Sequence, residues 1–260
     1  MPHHDELLQL WDAALSFYQG KDAGATSLVE EHLSWRAKSP YPGVADVDHI
    51  PTSLLTRELT CGLVYIDGFD RHGRTVITFN VNKHTSSSPW YDKKRMLCAV
   101  VFVIEQALYE SRHAAHQFVL VCNLRGFGMK NFDQYLIGRS FRIIFQNYPG
   151  RMHACLLASA PVVFNAAWAI LRSWIPADLH ALFHFVDERG LADFVDVDTM
   201  HQGEHTPAVS TRKLAPYLAL TVGHLRHARG ASSSSSVTRY GILHGRWSPM
   251  MALWRDRRPR

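Results

Sequence analysis

Tyr148-Pro149-Gly150-Arg151-Met152-His153-Ala154-Cys155-Leu156-Leu157-Ala158-Ser159-Ala160-Pro161-Val162-Val163-Phe164-Asn165 is the stretch that decides the architecture. Tyr148-Pro149-Gly150 must end a helix, since proline has no amide hydrogen to donate and glycine frees the backbone to turn. Ala154 to Ala158 then runs apolar at every position, as a strand buried on both faces does. Pro161 opens a helix that continues to Trp174. Its Val162, Val163, Phe164, Ala167, Trp168, Ile170, Leu171, Trp174 and the adjoining Ile175 point in nearly every direction, and only Asn165, Arg172 and Ser173 are clearly polar. A helix apolar all round must be covered on most sides, lie against lipid, or line an apolar cavity.

Upstream, the same alternation repeats. Phe132 to Asn147 reads as a helix, and Phe118-Val119-Leu120-Val121-Cys122 as another strand buried on both faces. Tyr91 to Glu110 is helical, with Met96, Val100, Val103, Ile104 and Leu108 on its apolar side. Thr75 to Val81 and Gly62 to Asp67 read as strands joined through the turn Asp70-Arg71-His72-Gly73. Strands alternating with helices of ten to fifteen residues predict an α/β sheet with crossover helices. Downstream, Leu179 to Phe185 adds an apolar wall through Leu182-Phe183-His184-Phe185.

The ends differ from this core. Residues 5–38 read as two helices broken near Gly20 and Gly24, the first presenting Leu7, Leu10, Trp11, Ala14, Leu15 and Tyr18 on one face. Ser39-Pro40-Tyr41-Pro42-Gly43 stops the second and begins an irregular linker. Past Pro207, Leu214 to Leu225 has an amphipathic helical pattern, Ser232 to Ser236 is a low-complexity linker, and the last residues carry Arg255, Arg257, Arg258 and Arg260. The predicted organisation is a helical lobe and linker over 1–55, a core over 56–206, and a basic helix and flexible tail over 207–260.

Composition excludes several classes. The 260 residues, 47% hydrophobic and 11% aromatic, suit a folded α/β protein. The net charge of +5 concentrates from Arg212 onward, where ten basic residues face one acid, Asp256. That balance suits a polyanion, anionic lipid heads or nucleic acid, or else a solubilising tail. Cys61, Cys98, Cys122 and Cys155 form no C-x-x-C pair, and three of them sit among apolar neighbours, as free thiols in a reducing compartment do. The N-terminus lacks the order of a secretion signal. The longest apolar run, Met96 to Ile104, falls short of the roughly 20 residues a membrane span needs. Any membrane contact is expected to be peripheral, and the location cytoplasmic.

Catalytic patterns fail on inspection. Gly126-Phe127-Gly128-Met129-Lys130-Asn131 follows a strand and opens a helix, but Asn131 replaces the third glycine of a dinucleotide loop and no carboxylate follows about twenty residues on. His201-Gln202-Gly203-Glu204-His205 fits H-x-x-E-H, yet Gly203 within it and Pro207 after it work against the regular helix that zinc chemistry needs. His180 and His184 stand four apart, on a helix by this reading, without a third ligand nearby. Ser159, in Ala158-Ser159-Ala160-Pro161, lacks the glycines of a nucleophile elbow. No catalytic residue, metal or cofactor is assigned.

Four motifs in order resemble the CRAL-TRIO lipid-exchange family. Asp70-Arg71-His72-Gly73-Arg74-Thr75-Val76 resembles its D-x-x-G-R-P-V turn, with Thr75 for proline. Asn123-Leu124-Arg125-Gly126 resembles its D-L-x-G strand end, with Asn123 for aspartate. Tyr148-Pro149, the following strand and Ala160 to Asn165 resemble Y-P-x-x-strand-N-x-P-x-x-F. Val197 to Glu204 departs from the L-P-x-x-Y-G-G closure, and Glu204 stands near its lysine. The resemblance implies a mixed sheet that floors a hydrophobic cavity closed by a gate helix, with a helical N-terminal lobe. It implies an intracellular lipid carrier, not an enzyme, that exchanges a phospholipid or other small lipid at membranes. Phosphatidylinositol and related phosphoinositides are less secure ligands, given the changed closure. The implied cavity residues are Phe79, Val119, Val121, Phe141, Phe145, Leu157, Ser159, Phe164, Trp168, Leu171, Ile175 and Phe183, with Asp178 near a headgroup. Arg226, Arg229, Arg255, Arg257 and Arg258 would meet an anionic membrane surface, with no nucleic-acid partner. The alternative is a scaffold of the same fold that binds a protein, such as a small GTPase, with a vestigial cavity.

Overall fold

A computed structural model describes residues 52–113 and 116–195, together with residues 27, 30–32, 34 and 35 of an upstream helix. The expected N-terminal helix over residues 7–18, the H-x-x-E-H segment, the Gly203-Glu204 closure, and Arg226, Arg229, Arg255, Arg257 and Arg258 lie outside the described residues. The irregular linker expected from Ser39 lies almost wholly outside the described residues; at its end α1 (Thr52–Thr60) begins, a helix the sequence reading did not assign, whose Leu55 and Leu59, one turn apart, are both buried.

β1 (Val64–Phe69) and β2 (Thr75–Asn80) form an antiparallel hairpin. Its turn is held by Asp70, whose Oδ1 accepts from the His72 amide at 2.8 Å and the Arg74 amide at 2.7 Å, while Oδ2 accepts from Arg74 Nη1 at 2.9 Å. Gly73 sits at φ +79 with space for a Cβ only 3.1 Å from Arg112 Cβ, so the turn needs glycine on both counts. α2 (Lys93–Glu110) then crosses to β3 (Phe118–Asn123). α3 (Gln134–Arg142) widens into a π-helix over Ile143–Asn147 and leads to β4 (Met152–Ala158). α4 (Phe164–Arg172) and a 3-10 turn over Ala177–Leu182 lead to β5 (Phe183–Val186), and α5 (Glu188–Phe194) follows.

Among the described residues the sheet has five strands in the order β1-β2-β3-β4-β5, with β2 to β5 parallel. Right-handed crossovers that never reverse direction put every crossing helix on one face. Accordingly, α2, α3 and α4 share one apolar cluster with the sheet, and the other face is partly covered by α5. The α/β sheet with crossover helices expected from the alternating pattern is formed, and it is mixed, as the resemblance implied. Two local readings change. His180 lies on the 3-10 turn and His184 on β5, so their four-residue spacing does not put them on one helix face. α5 has no counterpart in the sequence reading; Asp187 caps it by accepting from the Gly190 amide at 2.7 Å.

Candidate functional site: the helix-covered face of the sheet

The two faces of the sheet are sealed to different degrees. On the α5 side, Val76, Val119, Val121 and Leu156 are at most 2% exposed. On the helix-covered side, register places Ile77 beside Leu120 and Cys155, and Phe79 beside Cys122 and Leu157. Cys155 and Leu157 are buried, yet Leu120 and Cys122 in the central strand, and Phe79 beside them, are only partly so. A central strand normally loses both faces to its neighbours, so the two faces of β3 differ in how completely they are covered.

This register divides the expected cavity residues. Phe79, Phe141, Phe145, Leu157, Phe164, Trp168, Leu171, Ile175 and Phe183 share the helix-covered cluster. Val119 and Val121 do not: they belong to the opposite face, packed with Val76 and Leu156. The reason is the two-residue period of a strand. Phe118 to Cys122 is apolar in both phases, so periodicity alone could not assign a face, and Leu120 and Cys122 are the residues that face the helices. Ser159 ends β4 at φ +53, with its amide donating to the Val186 carbonyl at 3.0 Å, and joins neither cluster. Asp178 is exposed on the 3-10 turn.

An aromatic chain runs along the helix-covered side. Phe127 and Phe164 stand 5.2 Å apart edge to face, Phe164 and Phe185 6.2 Å, Phe185 and Trp168 5.4 Å, and Trp168 and Phe183 5.4 Å. Phe183 then meets Phe141 at 5.8 Å and Phe145 at 6.5 Å. Such pairs contribute about 0.5–1.5 kcal/mol each beyond their buried area. α4 faces inward with Phe164, Ala167 and Leu171 and outward with Ile170 at 37% exposure, and the turn before it exposes Val162 at 85% and Val163 at 44%.

Polar groups hold the margins. Asp133 caps α3 through the Leu136 amide at 2.9 Å, and its other oxygen receives the Tyr91 hydroxyl at 2.6 Å and His84 Nε2 at 3.2 Å. Burial would raise the Asp133 pKa, but these hydrogen bonds outweigh it and hold the carboxyl well below the usual range. Asn131 receives the Gly128 amide at 2.8 Å and donates to the His84 carbonyl at 2.7 Å, so the glycine-rich segment is a structural turn. Asn123 donates to Asn80 Oδ1 at 3.0 Å, a bond that an ionised aspartate could not make. Tyr148 hydrogen-bonds Glu105 and stacks edge-on with His32 and Trp35 of the upstream helix, at 5.6 and 5.7 Å.

The four cysteines are free thiols. Burial pushes the Cys98 thiol up to about 12. The Cys155 thiol is also raised, by its contact with Cys122 and then by burial. Among the described residues no group of three or more His, Cys, Asp or Glu is placed to hold a metal ion.

A mixed sheet with α2, α3 and α4 on one face, lined there with aromatics, is the setting in which residues 59–202 match the family model of the CRAL/TRIO domain. The chain belongs to the CRAL-TRIO family. That family is one of lipid-binding and lipid-transfer domains. A CRAL-TRIO domain-containing protein of Schizosaccharomyces pombe is 23% identical over 180 residues, which cover 68% of this chain and 40% of the relative. The crystal structure of Sfh5 superposes with a TM-score of 0.53 at 14% identity, over 68% of this chain and 63% of that one, so the likeness is one of CRAL-TRIO fold. The chain thus spans less than two thirds of the length of either.

Proposed function

We propose that this CRAL-TRIO domain holds the apolar part of a lipid between the sheet and α4 and exchanges it at a membrane surface. One observation carries the reading: Leu120 and Cys122, in the central strand, stay partly open on the helix side while Val119 and Val121 are sealed on the other. Each methylene withdrawn from water contributes about 0.8 kcal/mol, so an apolar compartment can compete with a bilayer for an acyl chain. α4 acts as the gate. Its outward Ile170, with Val162 and Val163 in the turn that leads into it, forms an apolar surface that suits the boundary between headgroups and acyl chains.

In this reading Arg226, Arg229, Arg255, Arg257 and Arg258 add attraction to anionic headgroups. Asp178 is a headgroup contact, and phosphatidylinositol and phosphatidylcholine are both candidate ligands. Exchange takes place at the cytoplasmic side as a peripheral encounter; no helix among the described residues is long and apolar enough to cross a membrane. The role is binding and transfer, without bond chemistry. Native mass spectrometry of the purified protein, followed by lipid extraction, tests the reading. A stoichiometric co-purifying lipid is expected. A lipid-free protein that also takes up nothing from vesicles would overturn it in favour of the protein-binding scaffold.

A further inference from the structure

We propose that Phe145 is the end-stop of the lipid compartment, the side chain that limits how long an acyl chain it accepts. The inference rests on the lipid-cavity reading above. Behind the aromatic chain lies a cleft of about 190 Å³, between the π-helix, the start of β4 and the 3-10 turn. Its apolar walls are Ile144, Phe145, Met152, Leu179 and Leu182, with Gln117 and the exposed His153 among its polar lining. Of the residues assigned to the compartment, Phe145 alone also lines this cleft. Its ring stands 5.8 Å from Phe141 and 6.5 Å from Phe183 on the compartment side. The Phe145 side chain thus borders both spaces.

Phe145 lies on the π-helix, where Ile143, Ile144 and Phe145 are three consecutive buried residues, and such insertions recur at functional positions. At β4, Phe118 pairs with Met152 and Val119 with Ala154, so His153 is an extra residue that bulges beside the cleft. The cleft of about 190 Å³, open to solvent at the exposed His153, gives the terminal stretch of one acyl chain room against Ile144, Met152, Leu179 and Leu182 once the ring is removed.

The test loads the full chain from vesicles of mixed phosphatidylcholine and phosphatidylinositol, with acyl chains running from myristoyl to lignoceroyl. Bound species are read by native mass spectrometry. Phe145→Ala and the milder Phe145→Leu shift the bound lipids to chains longer by several methylenes, and Phe145→Trp shifts them shorter. Adding Leu182→Trp to Phe145→Ala refills the cleft and restores the original distribution. Loaded Phe145→Ala and Phe145→Leu variants with the wild-type chain lengths overturn the end-stop alone. A wild type that loads no lipid overturns the cavity reading itself, and the end-stop with it.

Discussion

The Tyr91 hydroxyl donates to Asp133 Oδ2 at 2.6 Å, and through this bond the loop after β2 is fastened to the N-terminus of α3. Because hydrogen bonds hold the Asp133 carboxyl below its ordinary range, its contribution is present above about pH 4 and is lost as pH falls toward the lower folded value. Asp133→Asn keeps an N-cap residue but removes the charge. The variant should start about 2 kcal/mol less stable near neutrality and lose less on acidification, read as urea midpoints across pH. Parallel acid limbs in the two proteins would refute the account.

The two faces of β3 should respond differently to substitution. Val121→Ala removes packing on the α5 side and should cost roughly 2 kcal/mol in urea denaturation without altering lipid uptake. Trp168→Asp places a charge against Phe183 and Phe185 and should abolish uptake from vesicles while the protein remains folded by circular dichroism. Phe164 is a poorer probe, since it is buried against Phe127 and its loss also weakens the core.

Thiol chemistry reports on the compartment. Cys61 is exposed and should react first with a maleimide. Cys98 and Cys155, whose thiols are raised by burial and by their neighbours, should react slowest at neutral pH. Cys122 lies partly open on the helix-covered face, 3.9 Å from Cys155 sulfur to sulfur. Loading with lipid should slow its labelling several-fold, as read by peptide mass mapping; an unchanged rate would place the ligand elsewhere.

Charges on the outer side of α4 should separate exchange from stability. Val162→Glu or Ile170→Glu alters exposed positions, so stability should stay within about 0.5 kcal/mol of wild type. Transfer between vesicles should fall markedly, because the substituted helix would have to bring a carboxylate to the acyl boundary. Unimpaired transfer by both variants would remove α4 from the membrane encounter.

Much of the architecture was legible in the chain. Turn residues bracket strands that are apolar throughout, and the Tyr148-Pro149 stop with the Pro161 restart marks β4 and α4 without reference to anything distant. The apolar girth of α4 likewise showed that it must be covered or face lipid. Other features were silent. Thr52–Thr60 is too short and too polar to stand out, and the four residues of β5 follow a 3-10 turn that blurs their period. The π-helix leaves no pattern of its own, so Phe145 stood out from the other implied cavity aromatics in no way.

The sequence by itself determined that strands alternate with crossover helices and that they bury more apolar surface than a minimal core requires, because those properties rest on local composition and short-range period. Only the tertiary structure decided which side of β3 lies beneath the crossing helices. Val119 and Val121 and their neighbours Leu120 and Cys122 are equally apolar, and a strand buried on both sides carries no alternation to tell them apart. Pairing with β2 and β4 sets that phase, and it puts Leu120 and Cys122 beneath the helices.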